Sequence, residues 1–237
     1  MQYYKKLIVF SSALLVTFVT VTGALRTHTP SRNNANQLRE SQIPTVDYDR
    51  ATNTNTGGKR HAKGKKYNKD SSVVSPELVK VTEVYHWPPN LPALPVSQSD
   101  VVIVGKVADA KAYLSSDETG VYSEFTVRVE HLLKTKNTIL LRTGESIVVE
   151  REGGRVRYPS GHITQFSIAG LGMPQIGHRY LFFIKGDEDN NEIITAFELH
   201  GGKVIPLDRS GVVNFDKYRD SDETLLLNEV RTAILSN

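Results

Sequence analysis

The stretch VYSEFTVRVEHLL, residues 121–133, decides how the chain folds. Phe125, Val127 and Val129 alternate with Glu124, Thr126, Arg128 and Glu130. Successive side chains of a strand face opposite ways, so this is one long strand with an apolar face turned inward and a polar face turned to water. His131 falls in phase with the apolar set and is expected at the interior or its rim. The strand reads as the centre of a small antiparallel sheet with which the flanking segments pair.

Working outward, DVVIVGKV (100–107) is dense in β-branched residues and reads as a strand extending as far as Leu114, with Gly105 marking a bulge or bend. The polar run 115–120 turns the chain back. Downstream, residues 145–151 alternate around Ile147 and Val149, and EGGR (152–155) is a hairpin signal. Short strands are expected at 155–158 and 163–168, around the turn Pro159-Ser160-Gly161. The most hydrophobic strand is HRYLFFIK (178–185); residues 192–200 and 203–207 complete the sheet. Residues 220–235 form the one convincing helix, with Ser221 as cap, Asp222 and Glu223 at its positive end, and Leu226, Leu227, Val230, Ala233 and Ile234 on its packing face. The fold class is therefore mainly β: a small antiparallel, OB-like Greek-key barrel with one C-terminal helix covering an opening.

The 237 residues divide into four stretches. In 1–25, Lys5 and Lys6 precede an uncharged apolar run ending in small residues, the pattern of a signal peptide cleaved after Ala24 or of an uncleaved signal anchor. Both alternatives export the chain, as a secreted or periplasmic protein or one anchored by residues 7–25. Residues 26–70 are rich in Asn, Thr and basic residues and poor in large apolar ones, a composition expected to stay disordered. Residues 71–98 read as an extended, Pro-rich connector packed on the domain, with Trp87 as its anchor. Residues 99–237 are the β domain. The net charge of +3 conceals an asymmetry, because residues 1–98 carry 13 Lys+Arg against 6 Asp+Glu, whereas 99–237 carry 16 against 20. Charge thus gives the folded part no nucleic-acid role. The absence of cysteine removes disulfides, thiolate zinc sites and thiol catalysis together.

Candidate functional residues fall in two groups. The first is the basic run Lys59, Arg60, Lys63, Lys65, Lys66 and Lys69, a solvated linker or a segment drawn to an anionic polymer or membrane surface. The second is Arg151, Arg155, Arg157 and Tyr158 around one hairpin, with His162 beside it: guanidinium forks able to grip carboxylate or phosphate, or cross-strand partners of Glu150 and Glu152. Ser160 and His162 are the only pair suggesting a hydrolytic site, and no acid can be assigned to them. Asp187, Asp189, Asn191 and Glu198 match four positions of a calcium loop, but Glu192 stands where that loop needs glycine and the flanks read as strands, so a hairpin tip is expected. GLGMP (170–174) lacks the Lys-Ser/Thr ending of a phosphate loop. No metal or cofactor is expected.

The succession DVVIVGKV, FTVRVEHLLK and GHRYLFFIK resembles exported bacterial β-barrel proteins of uncharacterised function. It is also distantly similar to the barrels of the tissue-inhibitor-of-metalloproteinase and netrin-module family, over roughly residues 99–207. The resemblance implies a fold. The inhibitors act through an N-terminal cysteine that this chain lacks, so it carries over no functional residue. The leading expectation is a non-enzymatic exported module binding a protein, peptide or glycan. The alternatives are an envelope-acting hydrolase near Ser160 and His162, and anionic-polymer binding through the basic run and the Arg155 hairpin.

Overall fold

The computed structural model describes residues 42–49, 59–69, 80–84, 87–88, 90–136, 140–186 and 190–236. Residues 1–25, read from the sequence as a signal peptide or anchor, most of 26–58 and the loop 187–189 lie outside the described residues. Among the described residues no helix is long and apolar enough to cross a membrane.

The protein is mainly β, with an antiparallel sheet and one C-terminal helix. Strand β1 (Thr45–Asp47), helix α1 (Lys59–Lys65) and strand β2 (Lys80–Val84) precede the domain. β3 (Val101–Leu114), β4 (Val121–Thr135) and β5 (Ser146–Glu152) form an antiparallel meander. β6 (Gly154–Arg157) and β7 (Ile163–Ala169) form a hairpin, followed by β8 (Arg179–Gly186), β9 (Asn191–His200) and β10 (Lys203–Pro206). A 3-10 turn (Phe215–Tyr218) leads to helix α2 (Glu223–Leu235).

The larger sheet runs β10-β9-β5-β4-β3-β8, and β9 also pairs with β8. The sheet therefore curls back on itself, but β5 and β9 share a single parallel bridge, Glu150 to Glu192. A fully closed barrel does not form, and this contact is a seam. Val101, Ile103, Phe125, Val127, Ile147, Val149, Phe182 and Ile184 fill the interior. Gly105 lies at one of the register breaks between β3 and β4, where a Cβ would stand 2.5 Å from Val127 Cγ1.

Both faces are buried at Val101–Val104 of β3 and at Tyr180–Ile184 of β8, which is why those two stretches are unbroken apolar runs. Val102, Val104, Leu181 and Phe183 point outward into a second core. That core is covered by the connector (Leu91, Ala93, Val96), the 3-10 turn and α2 (Leu226, Leu227, Val230). Trp87 rests on Phe215 with ring centroids 5.0 Å apart. The helix thus covers the outer wall of the sheet, not an opening. Its cap is Asp222, whose side chain accepts from the N–H groups of Thr224 and Leu225, in place of Ser221.

Two further sequence expectations are corrected. Gly153-Gly154 is not a hairpin between paired strands. β5 belongs to the large sheet and β6 to a small one, ordered β1-β6-β7-β2, so the two glycines form a corner between sheets. Both have positive φ, and a Cβ on Gly154 would meet Val121 Cγ1 at 2.9 Å, so only glycine fits the corner. His131 is exposed, because β3–β4 pairing skips Glu130 between Gly105–Val129 and Val104–His131 and the alternation changes phase there. Within the stretch 26–70, residues 42–49 and 59–69 hold strand β1 and helix α1. β1 pairs in parallel with β6, and the turn at 115–120 grips α1 and the residues after it.

Candidate functional site

The outer wall of β4, β5 and β9 carries three carboxylates side by side. Glu124 is the register partner of Glu150, and Glu150 is the partner of Glu192. Like charges directly opposite on neighbouring strands repel, so this row is unfavourable by itself. Lysines from the chain's own basic run fill its two gaps. Lys63 Nζ stands 2.9 Å from Glu124 Oε1 and 3.2 Å from Glu150 Oε2. Lys66 Nζ stands 3.1 Å from Glu150 Oε1 and 2.8 Å from Glu192 Oε2. Three residues earlier in the run, the Arg60 guanidinium lies 4.7 Å from the centroid of the Tyr113 ring on β3. Arg60, Lys63 and Lys66, spaced three apart along α1 and the turn that ends it, thus cross four strands in order.

Tyr67 ends the run as its apolar anchor. It is 3% exposed and stacks on Tyr122 with ring centroids 4.5 Å apart. Tyr122 belongs to the water-facing set of β4, yet it is fully buried because this segment covers it. Lys69 continues the contact, pairing with Glu83 at 2.8 Å and with Glu152. The β3–β4 turn holds the segment's backbone. Ser116 Oγ donates to the His61 carbonyl at 2.5 Å, and Thr119 Oγ1 accepts from the Lys69 N–H at 2.7 Å. Two glycines allow the close approach. A Cβ on Gly64 would come within 2.8 Å of Ser116 Oγ, and one on Gly120 within 2.2 Å of the Tyr67 carbonyl oxygen.

A seven-residue helix with glycine at position 64 is not stable alone, so α1 owes its form to this surface. The surface in turn changes the chemistry of the segment. Burial disfavours the charged forms of Lys63 and Lys66, but the hydrogen bonds they donate to Glu124 and Glu192 and the charge of Glu150 outweigh it and raise both lysines above their ordinary value. Burial, and after it the charges of Glu150 and Glu192, raises the Tyr67 phenol. Burial and then Glu124 do the same for Tyr122.

The expected Arg cluster does not form one surface. Arg151 continues the inward row of Ile147 and Val149, and is 2% exposed. Its guanidinium forks onto Asp208 at 2.6 and 3.0 Å, donates to the Gly172 carbonyl at 2.7 Å, and reaches the Ile193 and Ile194 carbonyls of β9 at 3.4 and 3.3 Å. It is a buried tie across the seam, not a surface grip. Arg155 donates to its cross-strand partner Gln165 at 3.0 Å, and Arg157 reaches Asp47 of β1 at 3.4 Å. Neither takes the Glu150 or Glu152 partner expected from the sequence. Tyr158 is buried and its ring is 6.4 Å from that of His162. Ser160 Oγ accepts from the backbone N–H of His162 at 3.4 Å, a turn contact. Of the basic run, Lys63, Lys66 and Lys69 face carboxylates, whereas Lys65 is exposed.

A separate cleft of about 230 Å³ lies between the small sheet and one end of the curled sheet, lined by Phe166, Ile168, Met173, Tyr180, Glu198 and Leu207. Glu198 is held by His178 Nδ1 at 2.8 Å. Among the described residues no group of three or more His, Asp or Glu is placed to hold a metal ion. Two members of the calcium-like pattern are engaged elsewhere, Glu198 with His178 and Asn191 Nδ2 with the Val148 carbonyl.

Glu124, Glu150 and Glu192 were not legible as a site, because their adjacency depends on strand order. The one local signal was the basic run, whose lysines three apart matched no partner until β5 and β9 came together. No protein-family model matches the chain, and no curated protein matches it significantly.

Proposed function

We propose that the protein is a non-enzymatic interaction module, exported by residues 1–25, whose working surface is the acidic and aromatic wall of β4, β5 and β9. The observation that carries this is the Glu124–Glu150–Glu192 row, bridged by Lys63 and Lys66, with Tyr67 stacked on Tyr122. In this reading the wall is a receptor for a peptide or protein, and residues 59–69 are its resident occupant. The occupant is held by ion pairs, hydrogen bonds to Ser116 and Thr119 and contacts with the Tyr113 and Tyr122 rings, with only Gly64 and Tyr67 of residues 60–69 buried, so we read it as a detachable cover. We read the sheet as an OB-type barrel. The circuit β3-β4-β5-β9-β8 returning to β3, with a parallel β5–β9 contact, supports that topology. The same circuit is the support for likeness to the tissue-inhibitor and netrin modules.

Amide hydrogen exchange of the full chain tests the reading. The Lys66, Tyr67, Asn68 and Lys69 amides are expected to exchange by local opening, faster as salt rises, while β3 and β8 amides hold. If those four amides exchange only when the whole domain unfolds, residues 59–69 are a permanent part of the fold and the reading fails.

A further inference from the structure

We infer that the partner is a basic helical peptide with cations at positions i, i+3 and i+6 and an aromatic residue at i+7. This deepens the proposed function and rests on it. The resident segment supplies the template, because Arg60, Lys63, Lys66 and Tyr67 have that spacing. Each position meets a distinct element of the wall: Arg60 the Tyr113 ring on β3, Lys63 the Glu124–Glu150 gap, Lys66 the Glu150–Glu192 gap, and Tyr67 the face of Tyr122.

Spacing is read because the carboxylates stand in fixed register. Adjacent strands lie about 4.8 Å apart, and three helical residues advance about 4.5 Å. A cation every three residues therefore keeps step with a carboxylate on every strand. A cation moved by one residue turns about 100° round the helix and leaves its gap. A row of carboxylates without cations between them is repulsive, so a peptide lacking the spacing meets a wall that disfavours it as well as failing to engage it.

The resident segment competes with any such peptide. Tethered close to its own site, it acts at an effective concentration in the millimolar range. The wall is therefore self-covered, and a free peptide binds strongly only where the segment is displaced or outcompeted.

The test uses the full chain and a synthetic peptide of residues 59–69, followed by fluorescence anisotropy at low salt. In K63E/K66E the segment is repelled while the wall is intact; K63A/K66A/Y67A does the same without reversing charge. Either variant whose circular dichroism matches the parent is expected to bind the peptide at least about 10-fold more tightly than the parent. A peptide of identical composition with both lysines moved by one position is expected to bind at least about 10-fold more weakly than the native one. E150Q in the same background is expected to weaken the native peptide. Equal binding of native and shifted peptides, or none to a folded variant, overturns the inference. So does parent chain that dimerises on concentration with no gain in peptide binding by the variants, which would make a second copy the occupant. Local opening of residues 66–69 together with indifference to spacing would remove the partner assignment alone and leave the interaction surface standing.

Discussion

Replacing Arg151 by methionine tests what joins the curled sheet at its seam. The substitution keeps the apolar stem and removes the guanidinium from a site where Arg151 is 2% and Asp208 0% exposed. Asp208 is then a buried carboxylate whose one remaining close donor among the described residues is the Gly172 N–H at 2.9 Å. The Gly172, Ile193 and Ile194 carbonyls lose a donor as well. Breaking a buried pair from one side costs about 3–5 kcal/mol, because the other charge stays behind. In a domain of this size each kcal/mol moves the midpoint by about 3 °C, so R151M is expected to melt about 10–15 °C below the parent at neutral pH. D208N should fall by a similar amount. The double variant R151M/D208L leaves no orphaned charge and is expected to recover most of the loss, with a coupling of about 3 kcal/mol. Thermal melts followed by circular dichroism, with urea melts for free energies, give all three values. An R151M cost under about 1 kcal/mol, or strict additivity in the double variant, would refute the assignment of Arg151 and Asp208 as the tie.

Three other outcomes are expected. Y67A removes the stacked ring and should cost about 3 kcal/mol of segment docking, raising the exchange rates of residues 66–69 about 100-fold, with β3 and β8 unchanged; an unchanged rate would show that Tyr67 does not hold the segment. G120A places a Cβ in the space of the Tyr67 carbonyl oxygen without touching a charge, so trypsin should cut after Lys65 and Lys66 several-fold faster; protection equal to the parent would show that the approach is not tight. Burial disfavours the Asp100 carboxylate, yet the Lys136 ammonium, the Gly186 N–H and Lys185 outweigh it and hold its pKa at about 2, below the ordinary 3.8. Its folded value is the lower one, so it stabilises the protein above about pH 4, and that contribution fades as pH falls through 2. D100N should therefore flatten stability against pH between 4 and 2, and an unchanged slope in urea melts would exclude this residue from the acid response.

What the sequence disclosed follows from how far each signal reaches. Period-two alternation is local, so β4, β5 and the β6–β7 hairpin were legible in outline. The continuous apolar runs of β3 and β8 said that both faces are covered, but not by what, because the covers are the connector near 90–96 and the helix beginning at Glu223. A bulge breaks alternation without changing composition, which is why His131 was placed inward and stands outside. Gly153-Gly154 carries the same local signature in a hairpin and in a corner between sheets; the close approach of Val121, far away in sequence, decides between them. Arg151 looked like one of a surface trio, since alternation tells which side of the strand it occupies but not that Asp208 waits there. The basic run reads from sequence as a linker or a polymer- or membrane-directed segment, with no partner in the fold, for a related reason. Its partners Glu124, Glu150 and Glu192 come from three separate strands, and no window of sequence contains them together.

The single-bridge seam makes the state of the outer wall matter to the whole domain. From outside, Lys66 spans it by holding Glu150 of β5 and Glu192 of β9, and from inside Arg151 reaches the carbonyls of Ile193 and Ile194. Removing whatever sits on the wall takes away the outer brace and leaves the inner one. Thermodynamic reciprocity then requires that anything tightening the seam also favours occupancy of the wall, and that anything loosening it lets the occupant go. Rigidity of the domain becomes a gauge of whether its outer surface is filled.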